Sequence, residues 1–590
     1  MSCMPTVLLE SFRSGEFGRS FRFDGLERVI VATTQAEVVP ALHGIEQAVA
    51  TGRHAAGFVC YEAASALNPA LPGGSQPDLP LVWFGIFRER VAVAPGETGA
   101  EVADCRLGDT RLTADEAAYR RLIDVIREYI AGGNTYQVNY TIRQRFAFDG
   151  VPFALYRRIC RSQRAPFCAW IDTGRHRIVS ASPELFFSLR DGVITMRPMK
   201  GTAARAPDAP VDRIVRERLR VSAKERAENL MIVDLVRNDL SIIAESGSVA
   251  APLLFDIETY PTVHQMTSTV TARLRAGTSL VDIFRALFPC GSVTGAPKRR
   301  TMEIIDELEE GSRGVYCGAV GFVSPGQEAV FSVGIRTAVL DTVTGTGELG
   351  VGSGVTWDSE PGAEYAECLA KGAFLTIDYG KFSLIESIRW EDGVYFLLDR
   401  HLKRLALSAD YFGFRFDEAA ITRQLVDTTR WLTKPHKVRL LLYPDGDATI
   451  ECLPLPPQPA DQTPAPVIIA GQRVSSSDPF LYHKTTRRTL YDEERSRYPE
   501  CADVIFLNER GEVTEGSSTN AVALLDGKLV TPPVRCGLLS GTFREALIEG
   551  GILQERVLTL VDLRAADEIL LINSVRGWRK VYLTDEGSRA

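Results

Sequence analysis

The sequence has little of what marks disulfide-rich, zinc-binding or membrane proteins. Its 11 cysteines and 7 histidines are scattered over 590 residues. They form no Cys-x-x-Cys pair or histidine cluster, so neither a disulfide framework nor a zinc site is indicated. No uninterrupted apolar stretch is long enough to span a membrane, and residues 1–11 lack the features of a signal peptide. These absences favour a reduced, cytoplasmic compartment and no membrane partner.

Nucleic acids and dinucleotides are also disfavoured as partners. A net charge of −8 argues against nucleic acid, although small anions need only local positive groups. No glycine-dense segment reads as Gly-x-Gly-x-x-Gly followed by a helix, so a Rossmann site is not indicated. The composition, with 45% apolar and 24% charged residues, is that of an ordinary globular protein. The length predicts three or four folding units.

Lys200 is the first candidate for a reactive group. It follows a strand-like run over residues 193–196 and precedes Gly201. The turn Arg190-Asp-Gly192 predicts a hairpin whose other strand begins after Glu184. A lysine becomes nucleophilic when a partly desolvated site lowers its pKa. The alternative is a solvated surface lysine, which is by far the commoner case.

Two pairs of glutamates stand three residues apart in helix-like runs. Glu225 and Glu228 lie in a helix predicted over residues 222–240, with Ser222 as its cap. Glu364 and Glu367 repeat the spacing. Residues i and i+3 share a helix face, so the four carboxylates, if they converge, suit magnesium. The alternative is two solvated helix faces, and the absence of Glu-x-x-His disfavours a di-iron bundle.

Glycine-dense segments lie between these helices, at residues 291–298, 313–321 and 350–356. Glycines at turns expose backbone N–H groups, which cradle carboxylates or phosphates when they cluster. Arg336, in a strand-like run among these segments, could clamp a carboxylate through two parallel hydrogen bonds. Each signal alone is weak, because a glycine-rich loop is most often just a turn.

Five strings within residues 1–376 resemble the chorismate-binding enzymes, which include anthranilate synthase, isochorismate synthase and component I of aminodeoxychorismate synthase. The strings are Ser182-Pro-Glu-Leu-Phe186, the run from Glu228 to Asp239, Gly295-Ala-Pro-Lys298, Gly352-Ser-Gly354 and Glu364-x-x-Glu367. Lys200 resembles the aminodeoxychorismate type, since anthranilate synthases carry alanine there. The resemblance implies a large domain with two β-sheets.

The resemblance also implies a covalent mechanism. Lys200 attacks C2 of chorismate while the C4 hydroxyl leaves, ammonia enters at C4, and Lys200 departs. Glu184 acts as general acid or base. His264 matches a family histidine near the ring, with a core or capping role as the alternative. The implied magnesium ligands are Glu228 and Glu367 directly, and Glu225 and Glu364 through water. The residues implied in substrate binding are Thr294, Gly295, Tyr316, Arg336, Gly352, Ser353 and Gly354.

The source of ammonia is expected to lie outside the chain. No cysteine sits in a Gly-x-Cys-x-Gly nucleophile elbow, so a separate glutamine amidotransferase subunit or free ammonium is expected to supply nitrogen. The run Leu8-Leu-Glu-Ser11 resembles the start of the family's tryptophan-binding pocket, and whether tryptophan binds stays open.

The C-terminal third carries a second set of candidates. Lys484 can form a Schiff base with an aldehyde cofactor, and Glu515 can keep a pyridine nitrogen protonated. Gly541, at the start of a predicted helix, offers N–H groups to a phosphate. A proline-dense segment at residues 454–466 predicts a linker between two lobes. The alternative for each of these residues, taken singly, is an ordinary surface charge or a turn.

With Arg404, these residues resemble the fold-type IV pyridoxal-phosphate enzymes: branched-chain and D-amino acid aminotransferases and aminodeoxychorismate lyase. The resemblance implies Lys484 as the lysine that bonds pyridoxal 5'-phosphate and Glu515 at its pyridine nitrogen. It places Arg404, Thr542 and the backbone of Phe543 at the phosphate. The pair Thr542-Phe543 departs from the residues that usually precede Arg544. The resemblance also allows a homodimer through this domain.

The sequence therefore predicts an α+β chain. Residues 1–376 form a chorismate-binding domain, 377–381 a linker, and 382–590 a fold-type IV domain with lobes at about 382–453 and 467–590. Together the resemblances imply two steps of folate synthesis: chorismate to 4-amino-4-deoxychorismate, then loss of pyruvate to give 4-aminobenzoate. One alternative is an anthranilate synthase-type domain fused to an aminotransferase. The other is a C-terminal half that is a non-catalytic binding module.

Overall fold

The computed structural model describes residues 6–13, 19–98, 104–376, 380–457 and 463–584. Residues 377–379 of the expected linker and residues 458–462 of the proline-dense segment lie outside these ranges. The chain divides into two compact units. The first comprises Met1–Ala204 and Arg216–Gly380, and the second comprises Arg205–Val215 and Lys381–Ala590. The segment Arg205–Val215 thus belongs to the second unit, although it falls within the first domain as divided by sequence.

The first unit is built on antiparallel strands. Its strands are β1 (Val7–Glu10), β2 (Ser20–Ala32), β3 (His54–Val59), β4 (Val82–Val93), β5 (Cys105–Leu107), β6 (Arg111–Leu112), β7 (Gln137–Gly150), β8 (Phe167–Asp172), β9 (His176–Ser182), β10 (Leu185–Arg190), β11 (Val193–Arg197), β12 (Met199–Ala204), β13 (Ala250–Thr259), β14 (Val263–Arg273), β15 (Gly295–Ala296), β16 (Ala319–Ser324), β17 (Glu328–Val333), β18 (Thr337–Asp341) and β19 (Thr346–Val355). Its helices are α1 (Gln35–Ala50), α2 (Ala64–Leu67), α3 (Glu116–Ala131), α4 (Pro152–Gln163), α5 (Ala209–Val221, shared with the second unit), α6 (Ala223–Ser241), α7 (Leu280–Leu287), α8 (Lys298–Leu308) and α9 (Pro361–Gly372).

Strand β1 joins two runs of strands, because it pairs with β2 on one side and β8 on the other. One run continues β2-β4-β3-β16-β17-β10-β11-β14. The other continues β8-β9-β18-β19-β7. Two apolar cores follow, one that includes residues of α1, α6 and α7 and one that includes residues of α3, α4 and α9. The predicted α+β fold is confirmed, and the two runs form one hydrogen-bonded sheet joined at β1.

The hairpin predicted before Lys200 is present. Strands β10 and β11 pair through Arg190 and Val193, and the turn residues Asp191 and Gly192 have φ values of 52° and 74°. Such left-handed values are typical of a two-residue Asp-Gly turn. Lys200 itself lies on β12, which pairs with β14.

The helix that carries Glu225 and Glu228 is also confirmed. Ser222 caps α6, and its hydroxyl accepts a hydrogen bond from the backbone N–H of Glu225 at 3.4 Å. The sequence Thr113-Ala-Asp-Glu116 predicts a capping box at the start of α3, with Thr113 as the cap, and this prediction is wrong. Asp115, not Thr113, accepts from the first turn, because the Thr113 hydroxyl accepts instead from the N–H of Arg143 at 2.9 Å.

The second unit contains two sheets. Its strands are β20 (Leu384–Glu391), β21 (Val394–Tyr395), β22 (His436–Leu442), β23 (Ala448–Pro454), β24 (Ala465–Ile469), β25 (Asp503–Leu507), β26 (Val513–Gly516), β27 (Asn520–Leu525), β28 (Lys528–Thr531), β29 (Gln554–Glu555), β30 (Glu568–Asn573) and β31 (Gly577–Leu583). Its helices are α10 (Leu398–Phe412), α11 (Glu418–Thr429), α12 (Thr489–Arg497), α13 (Thr542–Glu549) and α14 (Leu560–Ala565).

The smaller sheet has the order β21-β20-β22-β23 and shares a core with α10 and α11. The larger has the order β26-β25-β24-β31-β30-β27-β28-β29, and a β26–β27 pairing closes it on itself. The turn sequences Glu391-Asp-Gly393 and Pro444-Asp-Gly446 predict two hairpins in this unit, and both hairpins are present. Among the helices of the described residues, none has the length and apolar character needed to cross a membrane.

Candidate active sites

Lys200 lines a cavity of about 200 Å³ in the first unit. Strand β12 carries the lysine, and β19, α6 and α9 contribute other walls. The cavity gathers most of the residues proposed for this half from the sequence: Glu184, Lys200, Glu225, Glu228, Tyr316, Arg336, Gly352, Gly354, Glu364 and Glu367. Residues that stand far apart in the sequence therefore share one site.

The ammonium of Lys200 faces the carboxylates of α6. Its Nζ lies 3.4 Å from Oε2 of Glu228. The backbone behind it is fixed, since the Asn229 side chain donates to the Lys200 carbonyl at 3.1 Å and accepts from Ser268 at 2.5 Å. Gly354 leaves room for the amine, because a Cβ there would overlap Nζ and the lysine side chain would have to shift. The amine is thus held on a fixed strand inside the cavity.

Glu184 is a buried carboxyl at the same cavity. Burial raises its pKa to about 7, against a hydrogen bond from Ser292. The backbone N–H of Met199, next to Lys200, donates to its Oε1 at 3.4 Å. A carboxyl with a pKa near neutrality can either give or take a proton, so the environment suits general acid–base work.

A lysine that sequence reasoning missed belongs to this site. Lys371 lies one turn after Glu367 on α9 and pairs with its Oε1 at 2.6 Å. It also donates to the Gly352 carbonyl at 3.0 Å. Although burial opposes the shift, this pair lowers the pKa of Glu367. The i, i+4 spacing on α9 was the available signal, since it places both side chains on one helix face.

The carboxylate set fits a hydrated cation. Burial, then the neighbouring Glu228, raises the pKa of Glu225, so a cation between the two would relieve their repulsion. Across the described part of the chain, only Asp78, His176 and Asp341 bring three such ligand atoms within 4.8 Å of one another. No three of the cavity glutamates therefore bring carboxylate oxygens that close together, and a cation there would be bound partly through its own waters.

The carboxylate-binding candidates face the cavity. Burial lowers the pKa of Arg336 to about 10, and its guanidinium donates to the side chain of Gln163. Tyr316 packs against Gly350, where a Cβ would overlap its ring. Burial raises the pKa of Tyr316, so its hydroxyl stays a neutral donor.

Four proposed residues lie outside the cavity lining. Ser353 turns its hydroxyl to Tyr119 at 2.9 Å. Side chains alternate along β19, and the two neighbours of Ser353, Gly352 and Gly354, line the cavity. His264 is buried against Thr259 at 3.1 Å, and its strand neighbour Gln265 lines the cavity instead. The other two are structural: the Thr294 hydroxyl bonds the carbonyls of Cys290 and Gly291, and Gly295 pairs with Val138.

An ion pair connects two of the sequence motifs that resemble the chorismate-binding enzymes. Lys298, of the Gly295–Lys298 string, donates to Oδ2 of Asp239 at 2.7 Å. Asp239 is the last residue of the string that begins at Glu228, on α6. The pair is mostly buried and ties α6 to the start of α8.

Lys484 is the centre of the candidate site in the second unit. Its carbonyl accepts from the N–H of Ile385 on β20 at 2.9 Å, so its backbone is bonded to the smaller sheet of the unit. Burial, with the nearby charges of Arg404 and Arg488, lowers the pKa of its amine to about 8. A substantial neutral fraction near neutral pH is what bonding to an aldehyde requires.

Glu515 lies on β26 at the same site. Tyr491 donates to its Oε1 at 2.9 Å, and the N–H of Leu539 and the amide of Asn520 donate to its Oε2 at 3.2 and 3.3 Å. Burial raises its pKa to about 7 despite these bonds. A carboxyl poised in this way suits a partner that carries a proton, such as a pyridinium nitrogen.

Arg404, on α10, is held in place by two hydrogen bonds that it donates to one carboxylate. Its Nε and Nη2 donate to Glu386 at 2.9 and 2.7 Å, and its Nη1 donates to the Ser540 carbonyl at 3.0 Å. The guanidinium thus sits at the start of α13. Gly541 is the N-cap there and provides no side-chain acceptor.

The remaining phosphate candidates occupy the first turn of α13. Thr542 is buried, and the ring of Phe543 packs between Phe396 and Trp578 with centroids 5.8 and 5.9 Å away. Only the backbone of Phe543 is therefore available to a ligand. The lysine with its lowered pKa, the buried carboxyl, and the arginine beside an uncapped helix start fit pyridoxal phosphate.

Comparison with known families agrees with this geometry. Residues 16–376 match the model of the chorismate binding enzymes, so the chain belongs to that family. Residues 383–583 match the model of the class IV amino-transferases, which implies pyridoxal phosphate as a cofactor.

Two relatives of the first unit are named as aminodeoxychorismate synthases. Aminodeoxychorismate synthase of Streptomyces griseus is 46% identical over 286 residues, covering 48% of this chain and 39% of that protein. Component 1 of aminodeoxychorismate synthase from Klebsiella aerogenes is 46% identical over 246 residues, covering 42% of this chain and 54% of that protein. The chain thus spans about half, or less, of the length of these relatives.

A solved structure shares the fold of the first unit. Anthranilate synthase component I from Streptococcus pneumoniae aligns with a TM-score of 0.53 at 24% identity, covering 62% of this chain and 93% of that one.

Proposed function

We propose that the chain makes 4-aminobenzoate from chorismate in two steps. The first unit would replace the C4 hydroxyl of chorismate by an amino group, and the second would release pyruvate from the product. The observation that carries the proposal is the position of Lys200, whose amine lies in the cavity among the glutamates, 3.4 Å from Glu228. An amine at this position could act as a nucleophile toward the substrate, whereas an alanine there would leave only bound ammonia.

In the first step, Lys200 would form a bond to C2 as the C4 hydroxyl leaves. Ammonia would then bond to C4, and Lys200 would depart from C2, which restores the free amine. Glu184 would give or take the proton at the reacting ring, since burial raises its pKa to about 7. Magnesium held by the four glutamates would stabilise the negative charge that develops.

Substrate carboxylates would be held on the opposite walls. Arg336 and Lys371 supply the positive charge, and Tyr316 supplies a neutral hydroxyl. The N–H groups around Gly352 and Gly354 can approach closely because those residues have no side chain. Lys371 is our addition to the residues proposed from the sequence.

In the second step, Lys484 would transfer a proton on the substrate, and Glu515 would keep a proton on the pyridine ring of the cofactor. The amine of Lys484, neutral in part because its pKa is lowered to about 8, would carry a proton between substrate carbons. Glu515 would keep the pyridine nitrogen protonated. Pyridoxal phosphate, when bound, supplies an electron sink. Loss of pyruvate leaves an aromatic ring, which drives the elimination.

The nitrogen would come from a partner. The relative from Klebsiella is named as a component 1, and a separate glutamine amidotransferase subunit would supply ammonia to this chain as well. Purified chain should therefore use ammonium, but it should release no glutamate from glutamine.

Product analysis tests the proposal. The purified chain is given chorismate, ammonium and magnesium, and the aromatic product and pyruvate are measured. We expect 4-aminobenzoate and pyruvate in equal amounts. Lys484→Ala should instead accumulate 4-amino-4-deoxychorismate. Anthranilate as the product would overturn the proposal and favour the anthranilate synthase alternative, and a second unit that binds no cofactor would favour a binding module.

A further inference from the structure

A buried chain of hydrogen bonds connects the arginine of the phosphate site to the first residue of α13. Glu386, on β20, accepts from Arg404 through both oxygens, at 2.9 and 2.7 Å. The same carboxylate lies 2.7 Å from Nδ1 of His401. On the other edge of the imidazole, Nε2 lies 3.2 Å from the hydroxyl of Thr542. Glu386, His401 and Thr542 are each at most 2% exposed.

The carboxylate decides which nitrogen of His401 carries the proton. Although burial opposes it, Arg404 and His401 lower the pKa of Glu386 to about 2, so Glu386 is an acceptor only. Nδ1 must therefore carry a hydrogen, because a lone pair facing the carboxylate would be repelled. Burial lowers the pKa of His401, which favours the neutral ring. Its Nε2 then has a lone pair and accepts from Thr542.

We propose that Glu386 orients His401 so that its Nε2 accepts the hydroxyl hydrogen of Thr542. Thr542 then anchors the start of α13 and gives no hydrogen bond of its own to the phosphate. This inference rests on the proposed binding of pyridoxal phosphate in the second unit. The phosphate is then held by Arg404 and the backbone N–H groups of the first turn of α13. Thr542 and His401 are positioning residues.

Arg404 has donors left for this task. A guanidinium has five N–H groups, and the bonds to Glu386 and Ser540 use one each on Nε, Nη1 and Nη2. One N–H remains on each terminal nitrogen, which allows a contact to two phosphate oxygens. The helix start adds backbone donors that Gly541 leaves uncapped.

A double-mutant cycle in the full-length protein tests the anchor. The variants are Thr542→Val, His401→Asn and the pair together, with Thr542→Ser as the matched control that keeps the hydroxyl. Asparagine can still donate to Glu386 but has no counterpart of Nε2. The dissociation constants of pyridoxal phosphate and of pyridoxal, which lacks the phosphate, are measured on the apo-protein by quenching of tryptophan fluorescence. Trp578, beside Phe543, is a reporter close to the site.

We expect both single variants to weaken pyridoxal phosphate binding by a similar factor, on the order of 3- to 10-fold, and to change pyridoxal binding little. The double variant should be no weaker than either single one, because both remove the same bond. The Thr542→Ser control should match the parent.

Independent, multiplicative losses would overturn the inference, as would a His401→Asn variant that binds pyridoxal phosphate like the parent. The first result would show a direct bond from the Thr542 hydroxyl to the phosphate. The second would show that the bond between Thr542 and His401 does not position the start of α13 for cofactor binding. A parent protein that binds neither pyridoxal phosphate nor pyridoxal would overturn the cofactor assignment and the inference with it, and so separates the two failures.

Discussion

Nζ of Lys371 lies 2.6 Å from Oε1 of Glu367 and 3.0 Å from the carbonyl oxygen of Gly352. The ammonium thus links Glu367, proposed as a metal ligand, to strand β19, whose glycines are proposed to hold substrate carboxylates. Because the pair raises the pKa of Lys371 even though burial opposes it, the side chain stays charged and can attract an anionic substrate.

We expect Lys371→Met to impair chorismate binding more than the chemical step. Loss of the buried positive charge should raise KM by on the order of 10-fold or more. Steady-state kinetics with ammonium as the nitrogen source measure this. Arg299, an exposed cation on α8, offers the matched control, since Arg299→Met removes one positive charge outside the cavity lining. Equal KM values in the two variants would contradict a binding role for Lys371.

Replacement of Lys200 should stop the first step. We expect Lys200→Ala to lower the rate of 4-amino-4-deoxychorismate formation by on the order of 10³-fold or more, because no other amine replaces the nucleophile. Lys224→Ala is the control, since Lys224 lines the same cavity and lies 4.0 Å from Glu228 but is more exposed. Comparable losses in both variants would mean that positive charge near Glu228 is needed rather than a covalent bond.

The pKa of Glu184 predicts a pH dependence of stability. Burial raises its folded-state pKa from 4.5 to about 7, so the folded protein holds this proton more tightly than the unfolded chain. The resulting stability is fully present below about pH 4.5 and is lost as the pH rises through about 7.

Glu184→Gln has no such proton to lose. Between those two pH values, the parent should lose up to about 3 kcal/mol relative to this variant. Thermal unfolding of both proteins across the range checks the difference. A constant gap would show that Glu184 has the same pKa in the folded and the unfolded protein.

The lowered pKa of Lys484 predicts when its amine reacts. Only the neutral amine bonds to an aldehyde, so the rate at which the apo-protein captures pyridoxal should rise as the pH passes about 8. Stopped-flow absorbance measures that rate. Arg488→Gln removes a positive charge that lowers this pKa, so it should shift the midpoint upward. A midpoint near the ordinary lysine value of 10.5 would mean that Lys484 is well solvated.

Local patterns in the sequence were enough for much of the fold. The Asp191-Gly192 turn, the Ser222 cap and the i, i+3 glutamates are decided by neighbours a few residues away. The same patterns placed Lys200 at the end of a hairpin and Glu225 beside Glu228, which the structure brings into one cavity. The cap of α3 failed because Thr113 bonds to Arg143, a residue 30 positions away.

The details of the site depend on long-range pairing. The pairing of β19 with β7 and β18 determines whether Ser353 or its two glycine neighbours face the cavity. No pattern in the nearby sequence specifies this pairing. The same holds for His264 and Gln265 on β14. In the second unit, Glu386 and His401 lie 15 positions apart, and their contact depends on how α10 packs on β20.

The missing side chain at residue 354 offers a way to disable one reaction and keep the other. Gly354→Ala would press a methyl group against Nζ of Lys200 while the amine, the glutamates and the whole second unit stay chemically unchanged. Such a protein would leave chorismate unconverted yet still release pyruvate from added 4-amino-4-deoxychorismate. The share of each half in the overall flux could then be measured in the intact fusion, without cutting it in two.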